Sequence, residues 1–273
     1  MASSRLREPT GVRWGLRVVV IAYVFLLVLW PVSLVVKYTF ADGMSNLTTA
    51  LGEPDVQHAL KMTVLVALCS VAINLVFGVG ISLLLVRAQF PGKRILSAFI
   101  DLPLSVSPVV VGLALLLVYS PRNGIFGQGL ASAGFQVVFA FPGMVLATVF
   151  VAMPLVVREV VPVLQEIGDD QEWAARSLGA NATQTFWRIT LPAIKWAVVY
   201  GVVLSLARSI GEYGAVKVVS GNITGQTQTG TTAVESLYQS FEQGSAYATA
   251  FILALASVVC IVVVSILRPK DTK

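Results

Sequence analysis

Charged residues are scarce in this chain. Asp, Glu, Lys and Arg supply 12% of its 273 residues against 56% hydrophobic ones, and mean hydropathy is +0.81. That leaves too little polar surface for a soluble fold. Histidine occurs once, at His58, and cysteine twice, at Cys69 and Cys260. One imidazole without neighbouring ligands, and two thiols inside apolar runs, exclude a metal centre or a disulfide framework as the basis of the fold. Also missing are a glycine-rich phosphate loop, a nucleophile with its base and any internal repeat. No catalytic residue, metal or bound cofactor is therefore expected, and the chain carries no energy source of its own.

Long apolar runs are what the sequence has instead. Six approach the ~20 residues needed to cross a bilayer, at 17–36, 62–86, 100–120, 137–157, 197–219 and 247–267. The expected fold class is an all-α polytopic membrane protein with six spans. Arg5, Arg7, Arg13, Arg17, Arg87, Lys93, Arg94, Arg158, Arg176, Arg188, Lys195, Arg268, Lys270 and Lys273 then fall on one side, and only Lys37, Lys61 and Arg122 on the other. Short basic loops stay cytoplasmic, so both termini are expected inside. This topology accounts for the net charge of +5 without a nucleic-acid partner. The first run is too long for a signal-peptide core and is expected to remain as an anchor.

One polar stretch, 169–192, interrupts this pattern with DDQEWAARSLGANATQTFWRITLP. Asp169 or Asp170 is a candidate N-cap, Glu172 adds negative charge to the first turn, and Gly179 is a candidate terminator. Ala174, Ala175 and Leu178 fall at helical spacings and form a narrow, low-relief apolar face suited to a groove on another protein. A second helix is expected from Thr183 to Pro192. On local features alone, a solvated loop with a chance helix fits equally well.

Two spans contain unusual residues. Pro103 and Pro108 interrupt the third one close together, which predicts a kinked or broken helix, either structural or bordering a pathway. In the fifth, Ala207 to Gly214 holds Arg208, Glu212 and Tyr213. Charges at this depth are costly and usually face protein or water. Arg208 and Glu212, four apart, either neutralise each other or offer positive potential to a passing anion. Lys217, nearer the outer end, is expected to snorkel to the interface. The polar segment 220–245 reads as a connector.

The run Ala174, Ala175, Gly179, Ile189, Leu191 and Pro192 resembles the cytoplasmic EAA loop of ABC-importer permease subunits. Further segments, at 101–113, 141–164 and 207–227, are similar to CysW-type permeases of sulfate and thiosulfate importers, in a family that includes molybdate permeases. The resemblance implies a MetI-like (type I importer) fold in the bacterial inner membrane. It divides the chain into a cytoplasmic N-terminus 1–16, a first helix with its outer loop 17–59 packed outside, a permease core 60–267 and a cytoplasmic tail 268–273. Within the core lie a coupling loop 158–196 and an outer loop 220–245.

The implied partners are a second, CysT-type permease, two CysA-type ATPase subunits that use ATP and Mg, and a periplasmic or lipid-anchored sulfate-binding protein. ATPase coupling is implied for Glu172, Trp173, Ala174, Ala175, Leu178, Gly179, Ile189, Leu191 and Pro192. Here Trp173 occupies the motif's glutamate position, with Glu172 one residue early, about 100° round the helix. Arg208, Glu212, Tyr213, Pro103 and Pro108 are the candidates for the translocation path. Molybdate or tungstate is the nearest alternative cargo, and a self-sufficient anion channel or secondary transporter the alternative of another class.

Overall fold

The computed structural model describes residues 10–267, with side chains placed from Trp14; the expected basic ends 1–9 and 268–273 lie outside the described residues. Among the described residues every regular element is a helix. In chain order they are α1, whose apolar part is Trp14–Thr39, α2 (Ser45–Gly52), α3 (Pro54–Arg87), α4 (Lys93–Ser105), α5 (Pro108–Tyr119) and α6 (Gly127–Ser132). There follow α7 (Phe141–Ile167), α8 (Asp170–Ser177), α9 (Ala182–Ile210), α10 (Gly214–Ser220), α11 (Gly230–Gln239) and α12 (Gln243–Leu267). Five are long and apolar enough to cross a membrane, and α4 with α5 makes a sixth, bent span.

Helices α3, α7 and α9 pack most extensively on one another and form the centre. Small residues allow this closeness. A Cβ on Gly78 of α3 would lie 2.8 Å from Val156 Cγ1 of α7, and one on Gly201 of α9 would lie 2.9 Å from Val156 Cα. In a membrane, where lipid is as apolar as leucine, such close approach is what holds helices together. Buried polar groups add cross-links: Asn74 Nδ2 donates to Ser205 Oγ at 3.4 Å, and Ser70 Oγ to the Val145 carbonyl at 3.3 Å. Of the apolar stretch of α1 only Thr39 is buried. The helix touches α12 through Thr39 Oγ1, which donates to the Tyr247 carbonyl at 3.0 Å, and through the stacked Tyr38 and Tyr247 rings. The first helix therefore lies outside the core, as expected.

Three expected spans are redrawn. The third is broken, with α4 and α5 meeting at 115°. Val106 and Ser107 are extended, because the Pro108 ring disfavours helical backbone before it. The fourth does not stop at 157 but runs to Ile167, through Pro154 and Pro162. The fifth is displaced and interrupted. It begins at Ala182 and ends at Ile210, and Pro192 does not terminate it. A π-helical turn at Phe186–Thr190 precedes that proline, with Leu191 N–H bonded to the Phe186 carbonyl. The wider turn accommodates a ring that would clash in a regular helix.

The segment expected to be a plain connector is instead folded. After α9 the chain makes α10 against α5, turns, and returns as α11 against α12. Thr227 Oγ1 donates to the Ser220 carbonyl at 2.6 Å, and Gly230 N–H donates to Thr63 Oγ1 of α3 at 2.7 Å. Residues 227–230 are buried. Lys217 does not snorkel: its ammonium is ion-paired with Glu235 of α11 and donates to the Tyr213 hydroxyl at 2.9 Å.

Candidate functional site: the braced loop helix and the paired helix breaks

Helix α8 starts without a side-chain cap on its backbone. Asp169, the expected cap, instead accepts the Trp173 indole N–H at 2.9 Å. Gly179 does end the helix, at φ +90°, a conformation that costs other residues about 1–2 kcal/mol. The next helix is capped by Asn181, whose side chain accepts from Gln184 N–H while Gln184 Oε1 accepts from Asn181 N–H. Both helices are thus set by local chemistry.

Their faces differ sharply. Trp173 is 60% exposed and Leu178 90% exposed, with Ala174 exposed beside them, whereas Ala175 is buried. Of the later motif residues, Ile189 and Leu191 are half-buried and Pro192 is exposed. Glu172 points the other way. Its carboxylate accepts from Arg87 Nε at 3.2 Å and Nη2 at 3.1 Å, and from Thr190 Oγ1 at 2.9 Å. Arg87, the last residue of α3, also donates to the carbonyls of Gly168 at 2.6 Å and Leu164 at 3.2 Å. One guanidinium therefore ties α8 to the ends of α3 and α7, and Thr190 adds α9. Glu172 does not replace the motif glutamate on the outer face; it is an internal brace. No local pattern reveals this pairing, because Arg87 is remote in the chain and reads only as a topological cation.

The two helix breaks form the second part of the site. A Cβ on Gly214 would lie 3.2 Å from Pro108 Cβ, so the start of α10 rests on the start of α5. Arg208 Nη1 and Glu212 Oε2 are 2.7 Å apart, with the carboxylate side chain buried and the guanidinium 38% exposed. Glu212 Oε1 also accepts the Ala215 N–H at 2.9 Å and so caps α10, while its carbonyl accepts from Thr231 Oγ1 at 2.8 Å. Glu212 is thus structural, and Arg208 is the member of the pair left partly accessible. Tyr213 is exposed beside it, Pro108 is half-buried at the junction, and Pro103 is buried and lines no open surface. Among the described residues no cluster of metal ligands occurs.

Residues 75–270 match the family model described as "Binding-protein-dependent transport system inner membrane component". The chain belongs to this family. A curated relative from Synechococcus elongatus, the sulfate transport system permease protein CysW, is 47% identical over 91% of this chain and 86% of its own length. The CysW protein of Escherichia coli K12 is 41% identical over 93% and 86%. The sulfate transport system permease protein CysT of Salmonella typhimurium is 35% identical over 91% and 89%. Among solved structures, a bacterial ABC transporter involved in the import of the acidic polysaccharide alginate superimposes with a TM-score of 0.74 at 16% identity, over 96% of each chain. At that identity the likeness shows the fold alone. This binding-protein-dependent transport component is accordingly a multi-pass inner-membrane protein of the MetI-like permease fold.

Proposed function

We propose that this chain is a CysW-type permease subunit of an ATP-driven importer and forms, with a second permease, the path for sulfate and thiosulfate. The observation that carries the reading is the 47% identity to a sulfate permease over nine-tenths of the chain. The geometry gives it a mechanism. Trp173, Ala174 and Leu178 form the exposed face of α8 that docks into a groove of a separate ATPase subunit. Gly179 ends that helix, and Ile189, Leu191 and Pro192 shape the turn under it. ATP and its Mg ion belong to that partner; this chain's part is to convert the partner's closure into helix movement.

The brace makes such transmission physically reasonable. A push on α8 reaches α3, α7 and α9 through Glu172, Arg87 and Thr190, rather than being absorbed in a slack loop. At the other end Arg208, half-exposed beside the paired breaks, offers a guanidinium to a doubly charged oxyanion, and Glu212 holds it in position. The packed hairpin 214–239 lies on the outer side and presents a surface to a sulfate-binding protein. The basic ends of α3, α4 and α9 mark the cytoplasmic side.

Uptake of radiolabelled sulfate, in cells deleted for this chain and then complemented, tests the reading. Loss on deletion, rescue on complementation and competition by excess thiosulfate but not molybdate are expected. Uptake unaffected by deletion, with no second sulfate system present, would remove sulfate as the substrate.

A further inference from the structure

The proposed reading leaves one ion pair unused. Arg158 Nε of α7 donates to Asp101 Oδ1 of α4 at 3.0 Å, and these side chains are 58% and 48% exposed. Their depth makes that exposure unusual. Arg87 marks one membrane surface and bonds to the Leu164 carbonyl; Arg158 lies six residues before Leu164 on the same helix, about 9 Å farther into the bilayer. A charged pair facing lipid at that depth is unfavourable, so a partner or water covers it.

The faces of α4 indicate which. Leu96, Ile100 and Pro103 point into the core, and Ile95, Phe99 and Leu102 form a second, exposed apolar face. Arg94, Ser97, Asp101 and Ser105 recur at three- and four-residue spacing and form a third, polar face about 120° round from the exposed apolar one. On α7, Arg158 and Gln165 share an exposed face that also includes Pro162. The two polar faces meet at the Asp101–Arg158 pair. Below it, Arg94, Ser97 and Gln165 of these faces line a groove of about 710 Å³ together with the apolar Leu85, Phe90 and Ile95; Asp101 and Arg158 stand outside it. Above it, Ser105 leads to the α4–α5 break where Gly214 rests on Pro108.

We infer that this polar cleft is one wall of the cytoplasmic exit half of the anion path, and that Asp101–Arg158 is its gate. The inference rests on the sulfate-permease reading. With the pair closed, the Asp101 carboxylate repels an arriving dianion and occupies the guanidinium that would receive it. When α4 and α7 separate, Arg158 exchanges its carboxylate partner for the sulfate oxygens, which it binds through the same N–H groups, and releases them as Asp101 returns. The second permease supplies the opposite wall.

The test uses the complete complex in inside-out vesicles, with Cys69 and Cys260 replaced. Ser97→Cys and Ser105→Cys are treated with a membrane-impermeant anionic thiol reagent, with Phe99→Cys on the apolar face as the control. Positions 97 and 105 are expected to react, more slowly when excess sulfate is present, and position 99 to remain unmodified. Asp101→Asn is expected to raise ATP-independent sulfate leak several-fold. Arg158→Gln is expected to lower ATP-driven sulfate release roughly tenfold while the complex still assembles, the loss of one charge-assisted contact. Unreactive 97 and 105 in vesicles that retain ATP-driven release of lumenal sulfate would overturn the inference and place the pair inside a subunit interface. Absence of ATP-driven sulfate release by the unsubstituted complex would remove the substrate reading instead, and this inference with it.

Discussion

Three donors converge on the carboxylate of Glu172, from a residue 85 positions away in sequence and another 18 away. Hydrogen bonds to charged groups contribute about 1.5–3 kcal/mol, and a partly buried carboxylate left without its cation loses more than the contact itself. Arg87→Ala is therefore expected to cost about 2–3 kcal/mol, read as a lowered melting temperature of the purified complex. Arg87→Lys should lie between, since it keeps the charge but not the fork that reaches Gly168 and Leu164. An unchanged melting temperature in Arg87→Ala would show that the brace bears no weight. Glu235 supplies a second test. The hydrogen bond from the Lys217 ammonium holds its carboxyl below the usual carboxylate range. A depressed folded value means that its stabilisation is present above the unfolded value of about 4.3 and lost as pH falls through the folded one. The protection factors of amides across 221–239, with the intrinsic pH dependence of exchange divided out, should therefore fall below about pH 4 and stay flat between pH 5 and 8, and Glu235→Gln should remove the acid response.

At the scale of elements, what the sequence disclosed followed the range of the interactions. The end of α8 at Gly179 and the break around Pro108 were legible, because a left-handed terminator and a proline act on their immediate neighbours. Pro192 misled by the same logic: its ring does forbid a regular turn, but the π-helical turn before it absorbs the defect and lets α9 continue. The segment 220–245, which holds α11, reads as a connector, and α10 as the outer end of the fifth span. Several of the segment's polar groups find partners that only the fold brings near, Thr227 Oγ1 the Ser220 carbonyl and Gly230 N–H the Thr63 hydroxyl of α3, which no local pattern reveals. Close packing was equally hidden. Gly201 looked like one glycine among many in apolar runs, yet a Cβ there would press on the backbone of Val156. Gly201→Leu is expected to cost about 1–3 kcal/mol or prevent assembly, because backbone cannot yield as a side chain does. Wild-type thermal stability and yield in that variant would contradict the tight α7–α9 contact.

Across the whole molecule the candidate site divides into two ends joined by the α3–α7–α9 core. One end exposes Trp173, Ala174 and Leu178; the other holds Arg208 where two helix breaks meet. Of this division the sequence showed the loop motif and the intramembrane charges, since both are unusual residues in a plain background. It did not show that Glu172 faces inward, that Glu212 caps a helix, or that Asp101 meets Arg158, since each depends on partners brought together by the fold.

In the proposed function the exposed face of α8 couples an ATPase to sulfate movement through this core. The direct measurement follows ATP-driven sulfate accumulation and ATP hydrolysis together in proteoliposomes holding the complete importer, with Leu178→Asp compared against the unsubstituted chain. Leu178, just past the end of α8, is 90% exposed, so a charge there should leave the fold intact and disturb only the docked face. Sulfate carried per ATP hydrolysed is expected to fall at least tenfold, the equivalent of about 1.4 kcal/mol of lost docking energy. Unchanged accumulation and an unchanged ratio in Leu178→Asp would show that this face does not carry the coupling.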